Sequence, residues 1–322
     1  MISAIKKTLQ LSPLFLVLVA LAFQFPSVTS ATVVTPHQLK RPDVRSGQTG
    51  PYISSGNVMY YGGLVMNATS NVYAIYWEPT GSYIDPLYNR LINRYFQDVG
   101  NGTGTIYHNN IQYYEFQNPG PSPRQAVLAG RFLDTRPYPG NPLMDADIQS
   151  EINAVQAQTG WVSSIHNIFF VFTARGENIC NTFGSPQLYC SFAPQYGFCG
   201  YHEFFGPQSS PTIYAAIPYT SVDPSLCGVP GFNGTYANGN YDADTTISVT
   251  SHEQMEAATD PLLNAWHDPP YPNGDGYEIA DKCSSQFGTL NPDGSNVNWN
   301  GHPYIVQEEW NNTISRCVLY GP

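Results

Sequence analysis

Two short, almost continuous apolar runs place the strongest constraint on the fold of this chain. They read Asn71-Val-Tyr-Ala-Ile-Tyr-Trp77 and Ile168-Phe-Phe-Val-Phe-Thr173. Runs of this length suit strands that are buried on both faces of a sheet. Because a sheet that is buried on both faces needs helices on each side, these runs indicate a layered α/β architecture.

Segments with helical spacing alternate with the predicted strands. Leu87, Leu91, Tyr95 and Val99 give residues 85–99 a roughly helical pattern. Residues 145–158 form a better helix, in which Asp145 can cap the start. The other predicted strands are residues 60–66, 107–116, 125–133, 212–218 and 304–310. The sequence therefore predicts an α/β fold, with a central mixed sheet flanked by helices, in a single loop-rich domain spanning residues 57–322.

The first 30 residues have the pattern of a secretory signal peptide. Lys6 and Lys7 precede an apolar run from Leu14 to Phe23, and small residues follow up to Ser30. This order is typical of a cleaved signal, with cleavage after Ser30. An uncleaved anchor is the alternative, but the run is short for a span of about 20 residues. Residues 31–56 are rich in Pro, Gly and Ser and predict an extended segment. We expect a secreted, extracellular protein with no membrane association after signal cleavage.

The charge of the chain argues against one class of partner. The formal net charge is -11, and the chain has only 13 Lys and Arg residues. Nucleic-acid binding requires clustered Lys and Arg to neutralise phosphates, so we expect no nucleic-acid partner.

Six cysteines follow the predicted signal peptide, and an even number in a secreted chain indicates disulfides. Proximity in the sequence predicts the pairs Cys180–Cys190, Cys199–Cys227 and Cys283–Cys317. A thiolate metal site is the alternative, but the chain contains no Cys-x-x-Cys pair.

The densest set of potential metal ligands lies between Ser248 and Cys283. Residues 245–259 are predicted to form a helix, started by Asp242 or Asp244 and ended by Pro261. On a helix, residues four apart face the same way, so His252 and Glu256 can bind one ion. This resembles the His-Glu-x-x-His helix of zinc peptidases, with a glutamate in place of the second histidine.

The remaining parts of a zinc site can be assigned from the same stretch. A catalytic zinc ion needs three protein ligands and an open position. Glu278 is the predicted third ligand, at a spacing close to that of thermolysin-like enzymes. Glu253 is the predicted catalytic base, and Asp281 is predicted to orient His252 from behind. His202 is the predicted transition-state donor or extra ligand, although a structural loop histidine is the alternative.

Three other interpretations of these residues remain open. Asp260, Asp268 and Asp275 surround a glycine-rich loop and offer oxygen ligands for calcium. The helix can also present its glutamates to solvent or to salt bridges without any metal. Exposed aromatic residues such as Trp266 and Trp299 can stack on sugars, as in carbohydrate hydrolases and carbohydrate-binding proteins.

The stretch also resembles a known family, the phosphate-induced protein 1 or EXORDIUM-like family of plant cell walls, which has microbial members. The resemblance rests on Ile247-Ser-Val-x-x-His252-Glu253-x-x-Glu256-x-x-Thr259-x-Pro261-Leu-x-Asn264-Ala265-Trp266, on Glu278-Ile-x-Asp281-x-Cys283 and on Phe198-Cys199-Gly200-Tyr201-His202. It implies a secreted or apoplastic protein and a real site around His252. The loop from Asp268 to Gly276 departs from the plant pattern and is closer to the microbial members.

The sequence thus leads to two functional hypotheses. The first is a secreted zinc-dependent metallopeptidase that acts on a peptide or a cell-wall component. The alternative is a non-catalytic extracellular or wall-associated protein, in which the same residues hold a structural ion or form a salt-bridge network.

Overall fold

The computed structural model describes residues 56–100, 104–116, 123–194, 197–269 and 276–321. They all belong to one compact unit, residues 34–322. The predicted signal peptide, residues 1–30, and the predicted extended segment up to residue 55 lie outside the described residues.

Fourteen strands and four α-helices are present in the described residues. In chain order they are β1 (Met59–Tyr60), β2 (Ser70–Trp77), α1 (Tyr88–Val99), β3 (Ala126–Asp134), β4 (Leu143–Met144), α2 (Asp145–Thr159), β5 (Asn167–Thr173), β6 (Ile179–Asn181), β7 (Tyr189–Cys190), β8 (Tyr201–Phe205), β9 (Thr212–Ile217), α3 (Pro224–Cys227), α4 (Tyr241–Thr259), β10 (Trp266–His267), β11 (Val297–Trp299), β12 (His302–Tyr304), β13 (Glu309–Asn311) and β14 (Arg316–Val318). Short 3-10 helices occupy Ile106–Gln112, Thr220–Val222 and Asp281–Cys283.

A five-stranded mixed sheet forms the centre, in the order β3-β2-β5-β9-β8. The first four strands are parallel, and the edge strand β8 is antiparallel to β9. The two apolar runs are β2 and β5, in the interior of the sheet, as predicted. The mixed α/β fold with a central sheet and flanking helices is therefore confirmed.

Helices cover both faces of this sheet, because alternate residues of each strand point to opposite faces. On one face, side chains such as Ala74, Phe170 and Ala215 join a core cluster with residues of α1 and α4. On the other, Ile75, Val171 and Ala216 join a second cluster with residues of α2. In β8, Tyr201 belongs to the cluster on the α2 face. The next side chain, His202, therefore points towards α4.

Helix α4 is buried along almost its whole length. Every residue from Ala243 to Thr259 is buried, which is typical of a helix enclosed by its own domain rather than lying on the surface. Its start differs from the prediction: it begins at Tyr241, and the Asn240 side chain accepts a hydrogen bond from the Ala243 amide. Asp242 and Asp244 lie in the first turn instead, where their charge suits the helix dipole. The helix ends at Thr259, before Pro261, as predicted.

Three predicted strands were wrong in type or extent. Residues 107–116 are mostly a 3-10 helix, Ile106–Gln112, in which Ile106 and Tyr107 are buried. Short apolar runs do not separate strands from helical turns by periodicity alone. The predicted strand 60–66 is reduced to β1. Of the predicted strand 304–310, only Tyr304 in β12 and Glu309 and Trp310 in β13 belong to strands.

The six cysteines form three disulfides, Cys180–Cys190, Cys199–Cys227 and Cys283–Cys317. These are the pairs predicted from proximity. Disulfides are typical of proteins that mature in an oxidising compartment. Within the described ranges, no helix is both long and apolar enough to cross a membrane.

Candidate metal centre

Helix α4 places His252 and Glu256 one turn apart on the same face. His252 Nε2 lies 3.3 Å from Glu256 Oε2. Asp281, at the start of the last 3-10 helix, brings its Oδ1 to within 3.6 Å of the same nitrogen. The Asp281 amide also donates a hydrogen bond of 2.9 Å to Glu256 Oε1, which fixes the orientation of that carboxylate.

Strand β8 supplies a second histidine to the same region. His202 Nδ1 lies 3.5 Å from Glu253 Oε2 and 3.7 Å from Glu256 Oε2. Its other nitrogen, Nε2, lies 3.8 Å from Glu278 Oε1. The edge strand, the central helix and the segment after residue 276 therefore converge on one buried region.

The side chains of these residues are almost completely shielded from solvent. His202, Glu253, Glu256 and Glu278 are 0 % exposed and His252 is 1 % exposed. Burying a carboxylate without a compensating partner is costly, so such groups are normally paired or bound to metal.

Many polar atoms in this region have no hydrogen-bond partner among the described residues. They are Nδ1 of His202, both ring nitrogens of His252, both oxygens of Glu253, Oε2 of Glu256 and both oxygens of Glu278. Buried side-chain polar atoms are nearly always satisfied in proteins. Unsatisfied atoms of ligand type, concentrated in one region, are therefore candidate metal ligands.

Burial and neighbouring charges shift the pKa values of the clustered residues. Burial, with the charges of Glu256 and Asp260, raises the pKa of Glu278 well above its usual value. Burial also raises the pKa of Glu256 to about 7, although the nearby His252 opposes that shift. Burial alone lowers the pKa of His252, but the surrounding carboxylates outweigh it and raise that pKa. The buried carboxylates are thus harder to ionise than usual, and His252 holds its proton more tightly than usual.

The donor set and its spacing fit a metal ion. Four ligands placed tetrahedrally about 2.0–2.2 Å from zinc lie about 3.3–3.6 Å from one another. The distances from His252 to Glu256 and Asp281, and from His202 to Glu253, fall in that range. Imidazole nitrogens favour zinc and related transition metals, whereas calcium takes six to eight oxygens.

The ligand atoms divide into two sets of three. His202, Glu253 and Glu256 offer atoms that all lie within 4.8 Å of one another, and so do His252, Glu256 and Asp281. Glu256 belongs to both sets.

The predicted site residues all lie in this region. Glu278, the predicted third ligand, contacts His202, whereas Asp281, predicted to support His252 from behind, offers an oxygen directly beside it. The sequence analysis missed Glu309, whose carboxylate is buried in β13 and whose raised pKa reflects burial, opposed by His252. Two adjacent acidic residues, Glu308 and Glu309, inside the predicted strand 304–310 were the available signal.

The calcium alternative loses part of its ligand set to other contacts. Both oxygens of Asp268 accept hydrogen bonds from Lys282 Nζ, at 3.0 and 2.9 Å. Oδ1 of Asp260 accepts from the amides of Asn264 and Ala265. Asp275 lies outside the described residues.

A separate cavity lies away from these residues. It has a volume of about 740 Å³ and opens between α1 and β3. Its lining includes Arg90, Arg94 and Arg131 but none of the clustered His and Glu residues. It therefore gives no access to the candidate metal centre.

Comparison with known proteins identifies two distant relatives. No family model matches the chain, and no solved structure matches it significantly. The Arabidopsis thaliana protein named "Protein EXORDIUM-like 3" is 33% identical over 148 residues, which cover 37% of this chain and 43% of that protein. "Protein EXORDIUM-like 5" from the same plant is 25% identical over 229 residues, covering 60% of this chain and 58% of that protein. The matches thus span about half the length of these relatives. These sequence similarities make this chain a distant homologue of the Arabidopsis EXORDIUM-like proteins 3 and 5.

Proposed function

We propose that this is an extracellular protein that binds a transition-metal ion in its core. Zinc is the ion that we propose first. His252, Glu256 and Asp281 are the proposed ligands. The observation that carries the proposal is the set of buried, unpartnered ligand atoms around Glu256. The secretory pattern of the first 30 residues and the three disulfides support the extracellular location.

The burial of the ligands favours a structural role for the ion. A catalytic zinc ion keeps an open position that water and substrate can reach, whereas a structural ion is enclosed by protein. The side chains of His252 and Glu256 are 1 % and 0 % exposed. An enclosed ion would join α4 to the segment carrying Asp281 and would contribute directly to folding.

Metal analysis of the purified, secreted protein tests this proposal. Measured by elemental mass spectrometry, the wild type should contain at least one zinc ion per chain. Glu256→Gln should contain less zinc. Glu151→Gln is the matched control, because Glu151 is also a buried glutamate but lies on α2, in the other layer. A folded wild type without bound metal would falsify the proposal.

A metallopeptidase is the second candidate, and one observation favours it. Glu253 follows the ligand His252 as the general base does in zinc peptidases, and both of its oxygens lack hydrogen-bond partners among the described residues. A base that shuttles a proton has to keep its oxygens available. The substrate would be a peptide or a cell-wall component that reaches the centre after movement of the covering chain.

The substitution Glu253→Gln separates the two roles. For a peptidase, it should abolish peptide hydrolysis, because glutamine cannot take the proton, while the metal at His252 is retained. Glu203→Gln, on the neighbouring strand β8, is the control and should leave hydrolysis intact. Metal-bound wild type without activity on a broad peptide library would leave only the structural role.

A further inference from the structure

We propose that the centre is binuclear, with the carboxylate of Glu256 bridging two metal ions. One ion is held with His252 and Asp281, and the other with His202 and Glu253. This inference rests on the proposed function, since it requires that the first ion binds.

The first argument is the geometry of the two sets of ligand atoms. Each set has the spacing of one ion's ligands, and the two overlap only at Glu256. Oε2 of Glu256 lies 3.3 Å from His252 Nε2 and 3.7 Å from His202 Nδ1, so this one oxygen neighbours a histidine of each set. Oε1 is held by the Asp281 amide. An oxygen shared by both sets is placed to bridge two ions, which lie about 3.5–4 Å apart in two-metal sites.

The second argument is charge. Four carboxylates, those of Glu253, Glu256, Glu278 and Asp281, contact the two histidines. When ionised, they carry four negative charges, which two divalent ions balance and one does not. The nearest lysine in the sequence, Lys282, has its ammonium group on Asp268. Buried charges of one sign need such compensation.

The third argument is the set of atoms that a single ion leaves unexplained. An ion at His252, Glu256 and Asp281 gives no partner to His202 Nδ1 or to the oxygens of Glu253. These atoms lie 3.5 Å apart at their closest, on β8 and α4, and both residues are 0 % exposed. A second ion accounts for them and places Glu278, 3.8 Å from His202 Nε2, at its edge.

The role of Glu253 distinguishes the two pictures of the site. In a mononuclear peptidase Glu253 stays off the metal and acts as a base, whereas in the binuclear centre it is a ligand. Glu253→Gln should therefore lower the metal content in the binuclear case and leave it unchanged in the mononuclear case.

Counting the metal ions in the full secreted chain tests the inference. We expect two zinc ions per chain in the wild type and one in His202→Gln, which keeps the first set of ligands. His166→Gln, a histidine outside both sets, is the control and should retain two. One ion in the wild type overturns the binuclear centre but leaves the proposed function standing, and no ion overturns both.

A second measurement needs no substitution and so does not depend on variants folding. The wild-type protein is stripped with a chelator and refilled with Mn²⁺ alone. Two Mn²⁺ ions bridged by one carboxylate should give an exchange-coupled electron paramagnetic resonance spectrum at full loading. A spectrum of isolated Mn²⁺ at every loading contradicts the inference.

Discussion

At the residue scale, Gly200 lies just before β8, where the chain passes close to the side chains of helix α4. A Cβ atom added at Gly200 would lie 2.7 Å from Val249 Cγ1, 3.0 Å from Ile217 Cδ1 and 3.2 Å from Glu253 Oε1. At this position, two before His202, a residue without a side chain leaves room for Val249 and Glu253 of α4.

Gly200→Ala should therefore destabilise the protein by about 1–3 kcal/mol, the usual cost of overpacking a core. It should also lower the metal content, because the added methyl group pushes against the Glu253 side chain. Gly140→Ala is the control, since its Cβ would meet nothing closer than 3.7 Å. Urea unfolding with metal analysis measures both effects, and equal stability of the two variants would contradict the prediction.

Glu151 predicts a pH dependence that is separate from the metal centre. Burial and the nearby Asp134 raise the pKa of Glu151 from its usual 4.5 to about 8. Its carboxylate accepts a hydrogen bond of 2.8 Å from Arg136. In this window the folded state binds more protons than the unfolded state, so stability contributed by Glu151 falls as the pH rises from about 4.5 to about 8.

Replacing this glutamate by an uncharged isostere should remove that part of the pH dependence. In Glu151→Gln, the free energy of unfolding should fall less steeply between pH 5 and 8 than in the wild type, by the linkage relation. Denaturant unfolding at several pH values measures the slope. Parallel curves for the two proteins would show that Glu151 does not titrate in this range.

The candidate site shows which residue roles the sequence can predict. The pairing of His252 with Glu256 follows from helical periodicity, which is local, and the structure confirms their common face. The placement of Asp281 beside His252 depends on a 3-10 helix that begins at that residue, well beyond the end of α4. No local pattern determines such a position. The spacing in the sequence therefore could not show which of Glu278 and Asp281 lies beside His252.

At the element scale, α4 contacts its neighbours through buried hydroxyl groups as well as through apolar side chains. Thr246 Oγ1 lies 2.9 Å from both Tyr88 Oη of α1 and Thr220 Oγ1, and Thr245 lies 2.8 Å from Thr220. These contacts fix the helix along its axis, which suits an element that has to present ligands. The end of α4 was predictable because Pro261 follows it closely. The start was not, because Asn240 caps the helix rather than Asp242 or Asp244, which were the predicted caps.

The disulfides should contribute different amounts to the free energy of unfolding. Cys199–Cys227 closes a separation of 28 residues and Cys180–Cys190 one of 10. Loop-closure entropy scales as 1.5 RT ln n, so the longer loop should contribute about 1 kcal/mol more, within a usual range of about 2–4 kcal/mol.

Paired Cys→Ala variants at each disulfide test this order. Removal of Cys199–Cys227 should reduce the free energy of unfolding more than removal of Cys180–Cys190. Denaturant titrations of both variants in the same buffer give the comparison. The reverse order would mean that strain or residual structure, not chain entropy, dominates.

At the scale of the whole molecule, stability should depend on the concentration of metal. An ion that binds only the folded state stabilises it by about 2.7 kcal/mol at a hundredfold excess over its Kd. For a chain of this size, about 2–4 °C in Tm accompanies each kcal/mol. The Tm of the protein whose metal has been removed by a chelator should therefore rise by several degrees when Zn²⁺ is added.

Calorimetry of the chelated wild type, with and without Zn²⁺, measures that gain. Glu256→Gln, which lacks the shared ligand, should show almost no gain in Tm under the same conditions. An equal rise in both proteins would point to weak binding of Zn²⁺ elsewhere on the acidic surface.

The architecture was predictable because it follows from strong local patterns. Two apolar strands, β2 and β5, and the helical spacing of α1 and α2 were sufficient to indicate layers around a sheet. The order of the strands was not predictable, because no local sequence pattern tells which strands pair. The antiparallel pairing of β8 with β9 at the edge of the sheet is an example. The same limit applies to the short C-terminal hairpins β11–β12 and β13–β14.

The ligands of the centre come from widely separated points of the chain, at His202, in α4 and after residue 276. During synthesis the histidine strand leaves the ribosome first and Asp281 last. The proposed centre would therefore form only after synthesis has passed Asp281. Metal loading would then report that the segment carrying Asp281 has reached its place beside α4.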